Sequence, residues 1–428
     1  MSTLKSQPGI TNKMSERLVI KNFGPIKSVE LDLGKMTILI GEQATGKSTI
    51  AKVLAVCRYF SYIVNYSVSV DKQNQFANNE QFSDGLRDWE MDSYLSENSS
   101  FYYENPLYIF EFKSKKVVEN ENVGDGLDYR KEFFELHTKI TSESEEFDRL
   151  LSELDDLRIE ETLQKKTAVE FFQMLGWTPN ENFYRLNVKK IMDNPLYIPT
   201  ERVLQSLSFS NSLLTSEALQ HELSKLNRIV RGYNIEIAIE PLSLVYKNQN
   251  GLGYAKKESN SEYYLVHNGS SGYQSTIPIV LAQKFYAKRK RTFIIEEPEM
   301  NLFPKVQKKL MEFFVENIYN NKHSFLLPTH SPYVLSSLNN LVYAYTIGHL
   351  DNDAFKGQVK EIIPEKYWLN PNDIAVYYLG DGEAKDIFDR EENLINTDYI
   401  DSVSEIISDE FDRLLSIEVS YNNTAQDD

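Results

Sequence analysis

The chain has 428 residues, of which 41% are hydrophobic, so it is long enough to bury the cores of two or three domains. Its 46 basic and 63 acidic residues give a net charge of −17, which disfavours a general nucleic-acid coat. The single cysteine, Cys57, excludes a disulfide framework and a cysteine metal cluster. Because the N-terminus is polar and no apolar run approaches 18 residues, we expect a cytoplasmic protein without a membrane span.

The first elements are predicted from alternating apolar residues and turn signals. Residues 1–14 are polar and are predicted to be disordered. Residues 17–23 and 28–33 have strand patterns on either side of a Gly-Pro turn, which indicates a half-buried hairpin. Residues 36–40 form a third apolar strand.

The sequence that follows this third strand fits G-x-x-x-x-G-K-[ST] and leads into helix-forming residues. Glycines let the backbone wrap an anion with its N–H groups, and the helix N-terminus adds the positive end of its dipole. Lys47 is predicted to reach the β- and γ-phosphates, and Ser48 to hold Mg²⁺. We therefore predict a nucleotide and Mg²⁺ site, which the family resemblance described below implies to be for ATP, formed by Gly41, Glu42, Gln43, Ala44, Thr45, Gly46, Lys47, Ser48 and Thr49.

The middle of the chain is less informative. Residues 70–100 are polar and predict loop or surface, and the segments 100–103 and 107–112 predict a hairpin. Residues 129–174 are charged and helical in pattern, with one apolar face. This segment is either a helical insertion or short coiled-coil arm, or an amphipathic helix packed on the main body. The apolar face consists of Phe147, Leu150, Leu151, Leu154 and Leu157.

Regular patterns return near residue 195. Strands are predicted at 195–199, 234–239, 242–246 and 263–266, and a helix over roughly 203–232. Residues 268–275, Asn-Gly-Ser-Ser-Gly-Tyr-Gln-Ser, then open another helix. Such a loop can receive an anion, although Ser-Ser-Gly is also ordinary helix-capping chemistry.

Two further apolar strands end in polar side chains that can take part in phosphate chemistry. The first, 292–295, ends in paired carboxylates, as the Walker B strand of P-loop enzymes does. There Glu296 would support Mg²⁺ and Glu297 would position the attacking water, the alternative being an acidic strand end in solvent. The second strand, 325–329, ends at His330, which is predicted to contact the γ-phosphate unless it is structural.

In this order, the P-loop, Ser-Ser-Gly-Tyr-Gln, Ile-Ile-Glu-Glu-Pro-Glu and Thr-His-Ser-Pro-Tyr resemble the ABC-type ATPase heads related to SMC proteins. The similarity is greatest to a bacterial stand-alone branch of AAA family ATPases. That branch includes the overcoming-lysogenisation-defect nucleases and the ATPase subunits of the Septu and PARIS phage-defence systems. The resemblance covers about 17–55 and 196–350, and implies an α/β P-loop NTPase fold with an ABC-ATPase-like head and a helical insertion.

The resemblance also implies roles for individual residues. The signature loop of the family, which touches ATP bound to the opposite protomer, corresponds to Ser271, Gly272 and Gln274. Glu296 corresponds to the Walker B acid and Glu297 to the catalytic base. His330 corresponds to the switch histidine.

Three features depart from the family pattern. Tyr273 replaces the second glycine of the usual signature, Glu296 stands where many ABC proteins have Asp, and no glutamine is assigned to the Q-loop of the family. The segment Thr200-Glu201-Arg202 resembles a Pro-x-Glu-Arg element of the same branch, to which no role is assigned.

The C-terminal region and one basic cluster each leave two interpretations open. Asp351 and Asp353 predict a turn rather than a metal site, and no nuclease activity is expected. The final amphipathic helix either packs on its own domain or binds a partner. A basic cluster either contacts nucleic acid or ends a helix favourably. The helix carries Ile400, Val403, Ile406, Ile407, Phe411, Leu414 and Leu415, and the cluster is Lys284, Lys288, Arg289, Lys290 and Arg291.

The predicted organisation begins with a disordered segment at residues 1–14 and a first ATPase lobe at 15–115. A helical insertion or short coiled-coil arm at 116–195, a second ATPase lobe at 196–350 and a C-terminal region at 351–428 follow. The resemblance implies an ATPase in which ATP closes a homodimer or higher homo-oligomer. Closure would control DNA or a separately encoded nuclease or toxin, in anti-phage defence. The alternative is a slowly hydrolysing, ATP-loaded scaffold that sequesters a toxin or nuclease; a transporter subunit fits the motifs less well.

Overall fold

The computed structural model describes residues 16–66, 79–105, 108–113, 195–202, 216–232, 236–287, 290–350, 353–396 and 408–416. The strands are β1 (Glu16–Phe23), β2 (Ile26–Leu33), β3 (Met36–Gly41), β4 (Ser100–Asn105), β5 (Tyr108–Lys113), β6 (Leu196–Ile198), β7 (Ile237–Ile239), β8 (Leu244–Gln249), β9 (Leu252–Lys257), β10 (Tyr264–Leu265), β11 (Thr292–Ile295), β12 (Ser324–Thr329), β13 (Ile374–Gly380), β14 (Glu383–Asp386), β15 (Phe388–Asp389) and β16 (Leu394–Ile395). The helices are α1 (Lys47–Tyr66), α2 (Asn79–Asp88), α3 (Glu217–Arg231), α4 (Ser271–Phe285), α5 (Pro304–Asn320), α6 (Pro332–Gly348) and α7 (Asp353–Ile362). The predicted helical insertion, apart from its last residue, and the predicted disordered N-terminus lie outside these residues.

The chain divides into two compact units, Met1–Gly34 with Val56–Met192, and Lys35–Ala55 with Asp193–Asp428. In the first unit, the antiparallel strands lie in the order β5-β4-β1-β2, and the two predicted hairpins are present. Gly24, with φ +53°, makes the turn between β1 and β2. Phe23, Phe82, Phe101 and Phe112 pack their rings together in the core of this unit.

The main sheet of the second unit has the order β14-β13-β3-β12-β11-β6. Strands β13, β3, β12, β11 and β6 are parallel, and only β14 runs antiparallel to its neighbour. Buried apolar residues fill β3, β11 and β12, as expected for parallel strands that are covered on both faces. Thr329 and Tyr378 both pair with Ile40, so β12, β3 and β13 end at one edge of the sheet.

Strand β13 was not predicted as part of this sheet. Residues 351–428 were predicted to be a separate C-terminal region, yet β13 lies directly beside the P-loop strand β3. The residues around Asp353 also differ from the prediction, because Asp353 begins helix α7 rather than lying in a turn.

A second sheet of this unit is antiparallel, in the order β10-β9-β8-β7. Strands β7, β8 and β10 lie within or close to predicted strands, whereas β9 was not predicted. The missed signal is Asn250-Gly251, where φ values of +53° and +79° make a tight hairpin turn.

Two surface features of the second unit bear on the alternatives left open above. Of the predicted apolar stripe, Phe411, Leu414 and Leu415 are exposed on a helical stretch at 408–416, and the remaining positions lie outside the described residues. In the basic cluster, Lys284 pairs with Glu240 at 2.6 Å and the Arg291 guanidinium stacks on Tyr286. Among the described helices, none is long and apolar enough to cross a bilayer.

Candidate functional site

The candidate site lies at the edge of the main sheet where its parallel strands end. Strand β3 ends in the P-loop, β11 ends at Glu296, and β12 ends at His330. Because these strands are neighbours in one parallel sheet, their carboxyl ends bring the three sequence blocks together.

The P-loop contains three residues with a positive φ, two of which are glycines. Gly41, Ala44 and Gly46 have φ values of +156°, +61° and +97°. At Gly41 a Cβ atom would lie 2.2 Å from the carbonyl oxygen of Leu379 in β13, so only glycine fits between these strands. The loop leads into helix α1, whose N-terminal N–H groups are suited to an anion.

Lys47 is only 5% exposed and lies folded against its own loop. Its Nζ donates to the carbonyl oxygens of Gly41 at 2.8 Å and Glu42 at 2.6 Å. Burial lowers the pKa of Lys47 to about 8, and the negative charges of Glu297 and Glu299 oppose that shift. The carboxylates of Glu297 and Glu299 thus favour the charged form of this ammonium group.

The two adjacent carboxylates after β11 lie in different environments. Glu296 is 6% exposed, and its Oε1 has no hydrogen-bond partner of good geometry in the described part of the chain. The pKa of the Tyr197 hydroxyl is raised, mainly by burial and next by the negative charge of the Glu296 carboxylate. By contrast, the side chain of Glu297 is 40% exposed. The pair can therefore hold different roles.

Glu297 has a strained backbone and lies beside the predicted switch histidine. Its φ is +41°, a left-handed conformation that is uncommon for a residue other than glycine. Its N–H donates to the carbonyl of Pro328 at 2.8 Å, which ties the end of β11 to β12. Nε2 of His330 lies 3.9 Å from Oε1 of Glu297. This distance places the predicted catalytic base and the histidine within reach of one small reacting group.

Glu299 holds the end of β12, a role that the sequence analysis did not predict. Its Oε1 accepts a hydrogen bond from Oγ1 of Thr329 at 2.6 Å and another from the N–H of His330 at 2.9 Å. The signal was present, because Glu299 is the last acid of Glu-Glu-Pro-Glu. An open groove of about 650 Å³ beside Glu297, Glu299 and His330 does not include P-loop residues in its lining, so we do not assign it to phosphate binding.

The signature loop, residues 268–275, packs against the residues that follow the paired acids. A Cβ atom at Gly272 would lie 2.7 Å from the carbonyl oxygen of Asn301, so glycine permits this close approach. The single O–H of Ser275 is shared between the carbonyl oxygens of Gly272 at 3.1 Å and Met300 at 3.0 Å. The predicted anion-receiving loop and the paired acids therefore belong to one packed assembly.

Within the signature loop, the individual side chains differ in their exposure. Ser270 stands at the N-cap of α4 and makes no side-chain capping hydrogen bond, and Ser271 is exposed. Nε2 of Gln274 donates to the carbonyls of His267 at 3.2 Å and Gly269 at 3.1 Å, so this side chain stiffens the loop. Tyr273, at the position of the second glycine, stacks on Tyr264.

The oxygen atoms present suit Mg²⁺. Ser48 is exposed at the start of α1, and the buried Oε1 of Glu296 has no hydrogen bond of good geometry to any of the described residues. The described residues contain no group of three or more histidine, cysteine or acidic side chains that could hold a metal ion. Mg²⁺ commonly takes only one or two protein ligands and completes its shell with phosphate oxygens and waters. Ser48 and Glu296 fit that requirement.

The family model for the AAA ATPase domain matches residues 14–82 and 129–335, more than half of the chain. The chain belongs to this family of AAA ATPase domains. The matched residues include the P-loop, the signature loop, the paired acids and His330. A comparison with curated proteins finds no match.

Solved structures that resemble this AAA ATPase domain protein include SMC heads and an ATP-binding cassette. The SMC head domain from Thermotoga maritima is 10% identical, covers 87% of this chain and 98% of its own, and has a TM-score of 0.37. The Smc head with an extended coiled coil, bound to the C-terminal domain of ScpA derived from Pyrococcus furiosus, is 12% identical. The match covers 92% of this chain and 99% of that one, with a TM-score of 0.32. A dimeric ATP-binding cassette in a post-hydrolysis state, bound to ADP and Pi, is 11% identical, and the match covers 86% of this chain and 96% of that one, with a TM-score of 0.30.

Proposed function

We propose that this chain binds ATP with Mg²⁺ and hydrolyses it at the carboxyl edge of the main sheet. The observation that carries the proposal is the convergence of three distant segments. Strands β3, β11 and β12, which lead to Lys47, Glu297 and His330, end at one edge of the parallel sheet, and Nε2 of His330 lies 3.9 Å from Oε1 of Glu297. A lysine, a partly exposed carboxylate and a histidine at one strand edge match the parts that phosphoryl transfer to water requires.

Each residue has a role that follows from its position. Lys47 balances the charge of the β- and γ-phosphates, and its two carbonyl partners keep it within the loop. Ser48 and Glu296 would hold Mg²⁺, which would neutralise phosphate charge when bound. Glu297 orients the attacking water and accepts its proton as the water oxygen bonds to the γ-phosphorus; the bond from the γ-phosphorus to the bridging oxygen breaks, and ADP and phosphate leave. His330 contacts the γ-phosphate from the neighbouring strand end.

We further propose that two copies of the chain close head to tail around ATP. The exposed Ser271 and the missing side-chain cap at Ser270 leave the start of α4 available to a ligand. Gly272 and Gln274 hold the loop in shape from within the same chain. In this arrangement each signature loop completes the ATP site of the other copy.

The output of closure is proposed from the resemblance of the motifs alone. Closure would control DNA or a separately encoded nuclease or toxin in anti-phage defence. The alternative is a scaffold that keeps ATP bound and releases its partner without turnover. A Glu297→Gln variant separates the two, because partner release in that variant is lost if hydrolysis drives it and persists if bound ATP is sufficient.

The experiment that tests the ATPase proposal measures phosphate release from ATP with Mg²⁺ by the full chain. We expect turnover in the wild type, no ATP binding in Lys47→Ala, and in Glu297→Gln a loss of kcat of about 100-fold or more with ATP still bound. Sedimentation velocity of Glu297→Gln with ATP and Mg²⁺ should show a dimer, and without ATP a monomer. Wild-type turnover by Glu297→Gln would contradict the assignment of the base, and a monomer under both conditions would contradict closure.

A further inference from the structure

Among the described residues, Arg202 is the largest fully buried side chain, and neither the motifs nor the proposed chemistry assigns it a role. Its Nε donates to the carbonyl of Ser275 at 3.0 Å. Nη1 donates to the carbonyls of Pro199 and Glu296, each at 2.8 Å. Nη2 donates to the carbonyl of Glu297 at 2.7 Å. One guanidinium therefore joins the end of β6, the end of β11 and the first turn of α4.

Placing a cation at this position is costly. A buried charge loses several kcal/mol of hydration, which is regained only when its donors are well satisfied. Burial lowers the pKa of Arg202 to about 10, and the charges of Glu299, Glu296 and Glu297 oppose that shift, so the guanidinium stays charged at neutral pH. Charged donors make stronger hydrogen bonds than neutral ones, and the planar fork of arginine reaches several acceptors at once. Lysine, with a single nitrogen, cannot span the same four carbonyls.

The hydrogen bond from Arg202 to the carbonyl of Glu297 is the contact that bears on the proposed hydrolysis of ATP. A left-handed backbone at a residue other than glycine is energetically unfavourable and persists only where its surroundings enforce it. At Glu297 the N–H is held by Pro328 and the carbonyl by Arg202. The direction of the Glu297 carboxylate is set by this backbone, so Arg202 acts on the proposed base without touching a reacting atom.

The second contact reaches the signature loop. Ser275 accepts from Arg202 through its carbonyl, and its hydroxyl donates to Met300, three residues after Glu297. Two hydrogen-bonded ties therefore connect the first turn of α4 with the residues after β11. A displacement of the signature loop is transmitted through these ties to the backbone of Glu297.

We propose that Arg202, with Ser275, is a positioning element that aims Glu297 and couples it to the signature loop. This inference rests on the ATPase function proposed above, and extends it to how the contact between two copies would switch hydrolysis on. Arg202 binds neither nucleotide nor metal in this account.

The test compares Arg202→Lys and Ser275→Ala with a matched control, Arg58→Lys. Arg58 is also buried and hydrogen-bonded, with its Nε 2.6 Å from Oε1 of Glu16, and it belongs to the first unit. We expect Arg202→Lys to lower kcat about 10- to 100-fold and Ser275→Ala about fivefold, from one or two lost hydrogen bonds to carbonyls. KM and the Kd of a fluorescent ATP analogue should change less than threefold in both variants. Arg58→Lys should keep the wild-type kcat.

Hydrogen exchange provides a readout that does not depend on turnover. In Arg202→Lys, the amides of 271–276 and 296–300 should exchange faster together, whereas Arg58→Lys should leave both segments unchanged. If the wild type hydrolyses no ATP, the proposed function is wrong. Hydrogen exchange then still tests whether the segments 271–276 and 296–300 are coupled. The inference is overturned if Arg202→Lys keeps kcat within twofold of the wild type, or if the two segments exchange independently. If Arg202→Lys does not fold, the Ser275→Ala variant provides the test. The inference is then overturned if Ser275→Ala has the same kcat and the same hydrogen exchange as the wild type.

Discussion

The P-loop and the catalytic loop, residues 296–302, are held in place in opposite ways. In the P-loop, Oγ1 of Thr45 donates to the carbonyl of Glu42 at 2.9 Å, and Lys47 donates to Gly41 and Glu42. None of these bonds spans more than six residues. The loop therefore fixes its own shape, apart from the close approach of Leu379 to Gly41.

The catalytic loop depends on residues far away in the sequence. Arg202 bonds to its carbonyls from 94 and 95 residues before, and Glu299 bonds to residues 30 and 31 positions after it. This loop can adopt its conformation only when β6, β11, β12 and α4 are all in place. The loop that we propose binds phosphate is thus shaped by local contacts, whereas the conformation of Glu297, the proposed base, depends on the assembled unit.

The largest effect in the P-loop is expected from its one long-range contact. Gly41→Ala places a Cβ atom 2.2 Å from the carbonyl oxygen of Leu379, which neither strand can avoid without shifting. We expect ATP affinity to fall about 100-fold, equivalent to about 2.7 kcal/mol, as measured by titration with a fluorescent ATP analogue. The control is Gly251→Ala, which has φ +79° and open space around its Cβ position. Wild-type affinity in Gly41→Ala would show that β13 does not constrain the P-loop.

An intermediate effect is expected from the tie between the catalytic loop and β12. Glu299→Gln keeps the shape of the side chain but removes the charge that accepts from Thr329 and His330. Losing the charge from two hydrogen bonds should lower kcat about tenfold, as measured by phosphate release, with ATP affinity unchanged. Glu365→Gln, at an exposed ion pair with Lys360, is the control. A fall in ATP affinity with kcat intact would place Glu299 in binding rather than in positioning.

The smallest effect is expected from one hydroxyl group within the P-loop. Thr45→Ala removes the hydroxyl that donates to Glu42, a bond worth about 1 kcal/mol, and that accepts a long hydrogen bond from Lys47 at 3.4 Å. ATP affinity should fall about fivefold and kcat should stay as in the wild type, because the catalytic loop does not use this bond. Steady-state kinetics and analogue titration measure the two quantities separately. A lower kcat with unchanged affinity would mean that the two loops are not independent.

The difference between local contacts in the P-loop and long-range contacts around residues 296–302 explains how much of the site could be predicted from the sequence. The P-loop is a local pattern, so its strand, loop and helix were predicted together, and the ends of β11 and β12 were predicted from apolar runs that stop at polar residues. Arg202 appeared only as part of a segment without a role, because its four acceptors come from three separate elements. Strand β13 was likewise missed as a member of the main sheet, since its pairing with β3 is not local.

The structure also gives Gly272 a packing role, in addition to the contact with ATP that the resemblance implies. Gly272 is implied to touch ATP on an opposite copy, and in this chain it also allows the signature loop to approach the carbonyl of Asn301. A glycine in a motif can thus be required by packing within its own chain as well as by a ligand. The sequence pattern alone does not separate these two requirements.

The central claim is that segments far apart in the sequence meet at one strand edge to bind and hydrolyse ATP. The most direct test is an experimental structure of the Glu297→Gln chain with ATP and Mg²⁺. We predict the triphosphate in the loop 41–48, the metal ion at Ser48 and Glu296, and residue 297 facing the γ-phosphate with Arg202 still on its carbonyl. ATP bound elsewhere, or a P-loop without nucleotide at saturating ATP, would contradict the account.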